Sequence, residues 1–123
     1  MEQDLRIVAG RSVLVCPEDG PRVTREADAL DLIGALWGLE ADWLVLPKAR
    51  LGEDFFKLRT GLAGAVIQKF VTYGVRLAIV GDISVEVAAS DALGDFVRES
   101  NGGDRVWFVS DMLALEMRLA AMR

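Results

Sequence analysis

The chain contains no histidine, and this absence restricts the chemistry it can carry. Without an imidazole there is no histidine general base, no catalytic triad of the usual kind and no His-containing metal site. A single cysteine, Cys16, excludes both an intrachain disulfide and a thiolate zinc site. The segment around it, residues 13–17, is apolar and brings no cation to the thiol, so we expect Cys16 to be buried and unreactive.

Long apolar runs and positive charge are also scarce. No run approaches the roughly 20 residues that span a bilayer, and the acidic segment at residues 1–4 lacks the basic start of a secretory signal. Fourteen Lys and Arg stand against nineteen Asp and Glu, which gives a net charge of −5. An acidic surface repels phosphate groups. We therefore expect a cytoplasmic protein with neither nucleic acid nor membrane as a partner.

The chain is rich in apolar residues, and turn-forming and helix-capping residues divide it into short segments. Of its 123 residues, 52% are hydrophobic and 27% are charged, which predicts one domain over residues 1–123 with a buried core. Short β-rich segments alternate with segments of helical spacing, in the order β-β-α-β-α-β-α-β-α. The predicted strands are residues 5–8, 12–15, 43–46, 75–80 and 106–109. The predicted helices begin at Thr24, Thr60, Ser90 and Ser110-Asp111, and the first of them ends at Gly38.

This alternation predicts an α/β fold with a mixed, mostly parallel sheet covered by helices. Helices between successive strands imply crossover connections and parallel pairing. The first two strands are instead joined by a tight turn, which we place at Gly10-Arg11 as a type II′ hairpin. That hairpin supplies an antiparallel edge to the sheet.

The segment at residues 53–64 is the strongest candidate site. Thr60 can cap a helix whose free N–H groups form a ready anion site. Gly61 and Gly64 leave room for a ligand or the sheet to approach the helix closely. In an extended loop, the neighbouring Phe55 and Phe56 point to opposite sides, so that one enters the core and the other covers the site or faces a partner.

Carboxylates offer weaker candidates. Glu53 and Asp54 are either a solvated acidic loop or an acid/base pair, and Asp82 follows a predicted strand where α/β proteins bind ligands. Asp82 after Gly81 also fits an ordinary turn. A metal site formed by the three carboxylates matches no known spacing, and nucleotide-binding loops and nucleophile elbows are absent. We therefore predict no cofactor, no metal and no catalytic residue.

The large apolar side chains point to packing rather than chemistry. Trp37, Trp43 and Trp107 are predicted to fill the core or an interface, because the acidic balance argues against base stacking. Three Trp, five Phe and four Met are many for one small core. This excess favours self-association, with a homodimer as the simplest form.

Five segments together resemble the bacterial domain-of-unknown-function family 4180, and the likeness covers nearly the whole chain. They are residues 53–56, 60–64, 68–71, 77–82 and 98–101. This resemblance implies no activity.

The element order is also similar to that of STAS domains, the fold of bacterial anti-sigma-factor antagonists. In that family an Asp-Ser-Ser-Gly or Asp-Ser-Thr-Gly segment opens the helix after the third strand, and residues 58–61 stand at the same place here. The resemblance implies that Thr60 is a phosphorylation site for a partner kinase. Leu58 and Arg59 replace the Asp and Ser of the family's segment.

Together these observations predict a non-catalytic, STAS-like interaction and regulatory domain that binds a protein partner, or a second copy, near Thr60. The alternative is a small-ligand or anion sensor that uses the same helix start. An enzyme that uses Glu53 or Asp54 would need that carboxylate within about 3 Å of the Thr60 hydroxyl, or linked to it through one water. The predicted partner-binding or ligand-binding residues are Glu53, Asp54, Phe55, Phe56, Thr60, Gly61, Gly64 and Asp82.

Overall fold

Five short apolar segments pair into one sheet in the computed structural model, which describes residues 4–122. The strands are β1 (Asp4–Val8), β2 (Arg11–Val15), β3 (Trp43–Pro47), β4 (Arg76–Val80) and β5 (Val106–Val109). They lie across the sheet in sequence order. The pair β1–β2 is antiparallel and the other neighbours are parallel. The predicted α/β fold with a mixed, mostly parallel sheet is confirmed.

In the part of the chain that the structure describes, six α-helices connect or follow these strands. They are α1 (Glu26–Gly34), α2 (Glu53–Phe56), α3 (Leu62–Thr72), α4 (Ser84–Ala88), α5 (Asp91–Gly102) and α6 (Met112–Ala121). The connection between β3 and α3 contains α2, a 3-10 turn before it (Lys48–Arg50) and another after it (Leu58–Thr60). Within residues 4–122 no helix combines the length and apolar character needed to cross a membrane.

The sheet separates two apolar cores because successive strand side chains point to opposite faces. Leu44 and Leu77 pack on one face with residues of α1, α3 and α5, such as Phe70. Val45 and Trp107 lie on the other face, which α6 covers with side chains that include Leu115. Crossovers of the usual right hand between strands added in one direction put their helices on a single face, which agrees with α1, α3 and α5 on one face and α6, which follows the last strand, on the other.

The tryptophans divide between core and surface. Trp43 and Trp107 are buried, with ring centroids 4.5 Å apart. Trp37, by contrast, is 80% exposed, so of its two predicted places, the core and an interface, the core is wrong. The reason is that α1 ends at Gly34, and Trp37 lies in the turn that follows rather than on the helix face. Cys16 is buried as expected, and loss of solvent raises the pKa of its thiol.

The hairpin turn differs from the prediction by one residue. Val8 pairs with Arg11, which leaves Ala9 and Gly10 as the two loop residues, with φ of 50° and 80°. Positive φ at both positions is the type I′ pattern, not the predicted type II′ turn at Gly10-Arg11. The type I′ turn matches the right-handed twist of the flanking strands, which outweighs the strain on Ala9.

Helix starts were predicted with mixed success. Ser90 and Asp111 cap α5 and α6 as expected: the Ser90 hydroxyl accepts the Leu93 N–H at 3.1 Å, and the Asp111 carboxylate accepts the Ala114 N–H at 2.8 Å. Thr24, however, is not the cap of α1, because the cap position belongs to Arg25.

The start of α1 is held by Asp28, a residue inside the helix. Its carboxylate accepts the N–H groups of Thr24 at 2.9 Å and Arg25 at 3.0 Å. These hydrogen bonds, that of Thr24 first, hold the pKa of Asp28 below its usual value of 3.8. A carboxyl with a lowered folded-state pKa stabilises the fold above its unfolded pKa, and this contribution is lost as the pH falls through the folded pKa.

We expect Asp28→Asn to lose less stability on acidification than the wild type does, because the variant has no such carboxylate to protonate. The measurement is the urea midpoint at about pH 7 and about pH 3. Asp31→Asn, which removes an exposed carboxylate from the same helix, serves as the matched control and should keep the wild-type acid sensitivity. Equal acid sensitivity in Asp28→Asn and the wild type would contradict the role given to Asp28.

Candidate functional site

The two neighbouring phenylalanines occupy different environments. Phe55 is 1% exposed in the core, whereas Phe56 is half-buried at the surface, and their ring centroids lie 5.4 Å apart. The predicted division into a core anchor and a surface ring is therefore present. Its cause differs from the prediction, since the two residues belong to the short helix α2 rather than to an extended loop. Successive helical residues point about 100° apart, which separates the rings.

Thr60 ends the 3-10 turn and lies just before the following helix. Its hydroxyl oxygen is 2.8 Å from the main-chain oxygens of both Asp54 and Lys57, and it accepts the N–H of Leu62 at 3.2 Å. The cap position of α3 is Gly61, one residue after the predicted cap, although the Thr60 hydroxyl does accept one free N–H of the helix start. Thr60 thus fastens the turn to α2 and α3 through main-chain atoms.

The sheet does not approach either glycine of this segment closely, so that one of the two predicted alternatives is wrong. A Cβ added at Gly61 or Gly64 would meet nothing within 4 Å. Gly61 is instead explained by its backbone, because a φ of 77° in the left-handed region favours glycine. Both glycines are exposed.

The three predicted carboxylates do not form a cluster that could hold an ion. Glu53 and Asp54 are exposed in the first turn of α2. Asp82 is exposed after β4, where it accepts the Ser84 N–H at 2.9 Å, and hydrogen bonds from Ser84 hold its pKa below the usual value. In the part of the chain that the structure describes, no three His, Cys, Asp or Glu side chains are placed to hold a metal ion.

A lysine that the sequence analysis did not predict as a site residue links the connection after β3 to the connection after β4. Lys48, directly after β3, donates from Nζ to the main-chain oxygen of Asp82 at 2.7 Å and pairs with Glu86 at 2.8 Å. This pairing is the main cause that lowers the pKa of Glu86. Gly81 allows the lysine to cross, because a Cβ there would lie 2.5 Å from the Lys48 Cβ. Only the glycine directly after a strand hinted at this close contact.

A groove of about 690 Å³ lies beside this bridge, between the α2 segment and the start of α4 and α5. We name it the Phe56 groove. Its apolar lining comes from Phe56, Leu58, Val85, Ala89 and Ala92, and its polar lining from Glu53, Lys57, Arg59, Glu86 and Ser90. Because the groove is built by the connections that follow β3 and β4, it lies at the edge where parallel strands end, which is the usual place for α/β binding sites.

Only two of the predicted site residues, Glu53 and Phe56, line this groove. Sequence reasoning missed Val85, which lines the groove and is 77% exposed on α4. Its signal was faint: residues 83–87 alternate apolar and polar side chains, which is the period of a strand, and the five residues of α4 are too few to show helical spacing.

Comparison with known proteins identifies a family. The family model described as a domain of unknown function (DUF4180) matches residues 8–119. Searches of curated proteins and of solved structures gave no match.

Proposed function

We propose, on the premise that this chain belongs to the DUF4180 family, that it is a non-catalytic interaction domain with a STAS-like architecture. It binds a segment of a protein partner in the Phe56 groove. The proposal extends the sequence prediction of a partner surface near Thr60, and moves its centre from the start of α3 to the groove beside α2.

The observation that carries the proposal is the exposure of Val85 at a groove with an apolar floor. Val85 is 77% exposed, and Phe56 and Leu58 are half-buried in the same lining. Contiguous apolar surface in water is typical of an interaction site. Lys57 and Arg59 add an exposed polar rim, and an apolar centre within a polar rim is the usual anatomy of a protein interface.

The hydrogen bonds of Thr60 support the non-catalytic part of the proposal. The hydroxyl lies against the main-chain oxygens of Asp54 and Lys57, whereas nucleophilic or acid/base chemistry would require a base beside it. The alternative function, an anion sensor at this helix start, is less well supported, because the Leu62 N–H already donates to the Thr60 hydroxyl and is not free to bind an anion. Neither Thr60 nor Gly61 lines the groove.

The STAS-like architecture remains part of the proposal, and it gives Thr60 a regulatory role. The element order matches that of STAS domains once the short helices α2 and α4 are set aside. A phosphate on Thr60 would remove the hydroxyl proton and place negative charge beside the carbonyl oxygens of Asp54 and Lys57. The turn would open, and Phe56 and Leu58, the neighbours of Lys57 in the chain, would move. Phosphorylation would therefore weaken partner binding in the Phe56 groove.

The test is selection of peptides from a random phage-displayed library on the wild-type protein. We expect the selected peptides to carry an apolar anchor and to bind Val85→Asp at least about tenfold more weakly, since removing one anchor contact typically costs more than about 1.4 kcal/mol. Leu113→Asp is the matched control: Leu113 is also an exposed apolar residue, on α6 at the opposite face, and its variant should bind like the wild type.

Two outcomes would change the proposal. Peptides that bind both variants equally would show that the groove is not the site. A wild-type protein that sediments as a dimer, with Val85→Asp as a monomer, would make a second copy the partner in the groove. Unchanged circular dichroism in both variants ensures that the comparison concerns folded protein.

A further inference from the structure

A buried arginine without a carboxylate partner lies beside α1, in a cleft on the same face of the sheet as that helix. Arg50 closes the 3-10 turn after β3 and is only 6% exposed. Its Nε donates to the main-chain oxygen of Pro21 at 2.5 Å, and its Nη1 donates to that of Pro17 at 3.0 Å. Among residues 4–122, Arg50 has no ion pair, and its Nη2 has no hydrogen-bond acceptor.

This guanidinium lines an open cleft of about 660 Å³ at the end of β2 where the strand leaves the sheet. We name it the Arg50 cleft. Its apolar walls include Leu14, Cys16, Leu32 and Ala35. The loop between the two prolines is fitted against the guanidinium, since a Cβ at Gly20 would lie 2.5 Å from the Arg50 Cζ. With Nε and Nη1 held by this loop, Nη2 is the donor left for a bound molecule.

The charges of the cleft select a kind of ligand. A buried cation is costly when it is unpaired, and the two carbonyl groups accept only two of its five N–H donors without neutralising its charge. A carboxylate would neutralise it through a strong, charge-assisted hydrogen bond. Asp4 and Asp19 also line the cleft without pairing with Arg50, and their charge disfavours a ligand with a second negative group.

We propose that the Arg50 cleft binds a small organic monocarboxylate with an apolar body. The carboxylate accepts from Arg50 Nη2, and the body packs on Leu14, Leu32 and Ala35. The volume is within the usual range for small-molecule sites, and an apolar cleft with one charged group is their usual composition. The cleft shares no lining residue with the Phe56 groove, so this site does not depend on the partner-binding function.

The experiment uses the full chain with sodium benzoate and sodium octanoate as probes, and benzamide and inorganic phosphate as comparisons. At a tenfold excess over Kd, we expect each monocarboxylate to raise Tm by about 5 °C. Benzamide lacks the charge and phosphate lacks the apolar body, so neither should raise Tm comparably.

Two matched variants separate this cleft from the rest of the surface. Ala35→Leu fills the Arg50 cleft and keeps the arginine with its two carbonyl partners, whereas Ala89→Leu fills the Phe56 groove instead. We expect benzoate stabilisation to be lost in Ala35→Leu and kept in Ala89→Leu. Arg50→Lys, if folded, should bind benzoate more weakly because an ammonium cannot reproduce the planar donor geometry.

A second readout uses Cys16, the single cysteine of the chain, which lines the cleft. Benzoate should slow alkylation of its thiol in the wild type and in Ala89→Leu, and should have no effect on the rate in Ala35→Leu. The proposal is overturned if neither acid raises Tm or protects Cys16, if benzamide or phosphate acts as strongly as benzoate, or if Ala35→Leu responds like the wild type.

Discussion

Phe55→Ala is expected to lower the free energy of unfolding by about 3–5 kcal/mol, because it removes a fully buried aromatic ring and leaves a cavity under α2. Phe56→Ala, its neighbour in the same helix, should cost only about 1 kcal/mol, since its ring is already half in water. Urea unfolding followed by circular dichroism measures both values.

The same pair of variants separates folding from binding. Phe56→Ala should stay folded and lose affinity for peptides selected on the wild type, because its ring lines the Phe56 groove. Similar losses of stability in the two variants would show that Phe55 is not the anchor of α2. Full affinity in Phe56→Ala would place the partner surface elsewhere.

Gly81→Ala is expected to lower the free energy of unfolding by about 2–4 kcal/mol. Gly81 has a φ of 152°, and a methyl group there would collide with the Lys48 side chain at 2.5 Å. The collision displaces Lys48 from the Asp82 carbonyl and from Glu86, so the connections after β3 and β4 lose their bridge. The variant should therefore also weaken peptide binding in the adjacent groove.

Gly64→Ala is the matched control for this substitution. A Cβ at Gly64 meets nothing within 4 Å, and the residue lies exposed in the first turn of α3. Alanine there should raise the free energy of unfolding by about 0.5 kcal/mol through its greater helix propensity. The urea midpoints of Gly81→Ala and Gly64→Ala measure the difference in stability between the two variants. If Gly64→Ala is less stable than the wild type, the added methyl group meets a neighbour and the surface at Gly64 is not open.

Much of the fold follows from local patterns in the sequence. The apolar run at residues 43–46 predicts β3 within one residue, and residues 106–109 predict β5 at both ends. Such runs identify strands buried on both faces, because neither side of the strand meets water. Ser90 and Asp111 are also local signals, since a cap side chain bonds an N–H only three residues away.

Predictions that depend on competition between nearby residues were less secure. Thr24 is a good cap by type, yet Asp28 holds the start of α1 from inside the helix. Gly61 has the residue type for close packing, but its backbone angle explains it instead. In each case two local arrangements suit the same residues, and the surrounding chain selects between them.

By itself the sequence determined the alternation of strands and helices, the apolar faces that form the two cores, and the absence of histidine chemistry. Only the tertiary structure decided which residues line the groove and the cleft. Val85 and Phe56 line the same groove, and Arg50 donates hydrogen bonds to the main-chain oxygens of Pro17 and Pro21 at the cleft. The residues brought together in this way are about thirty positions apart in the sequence. Periodicity and capping act over a few residues, whereas these contacts arise because parallel pairing brings the ends of different strands to one edge of the sheet.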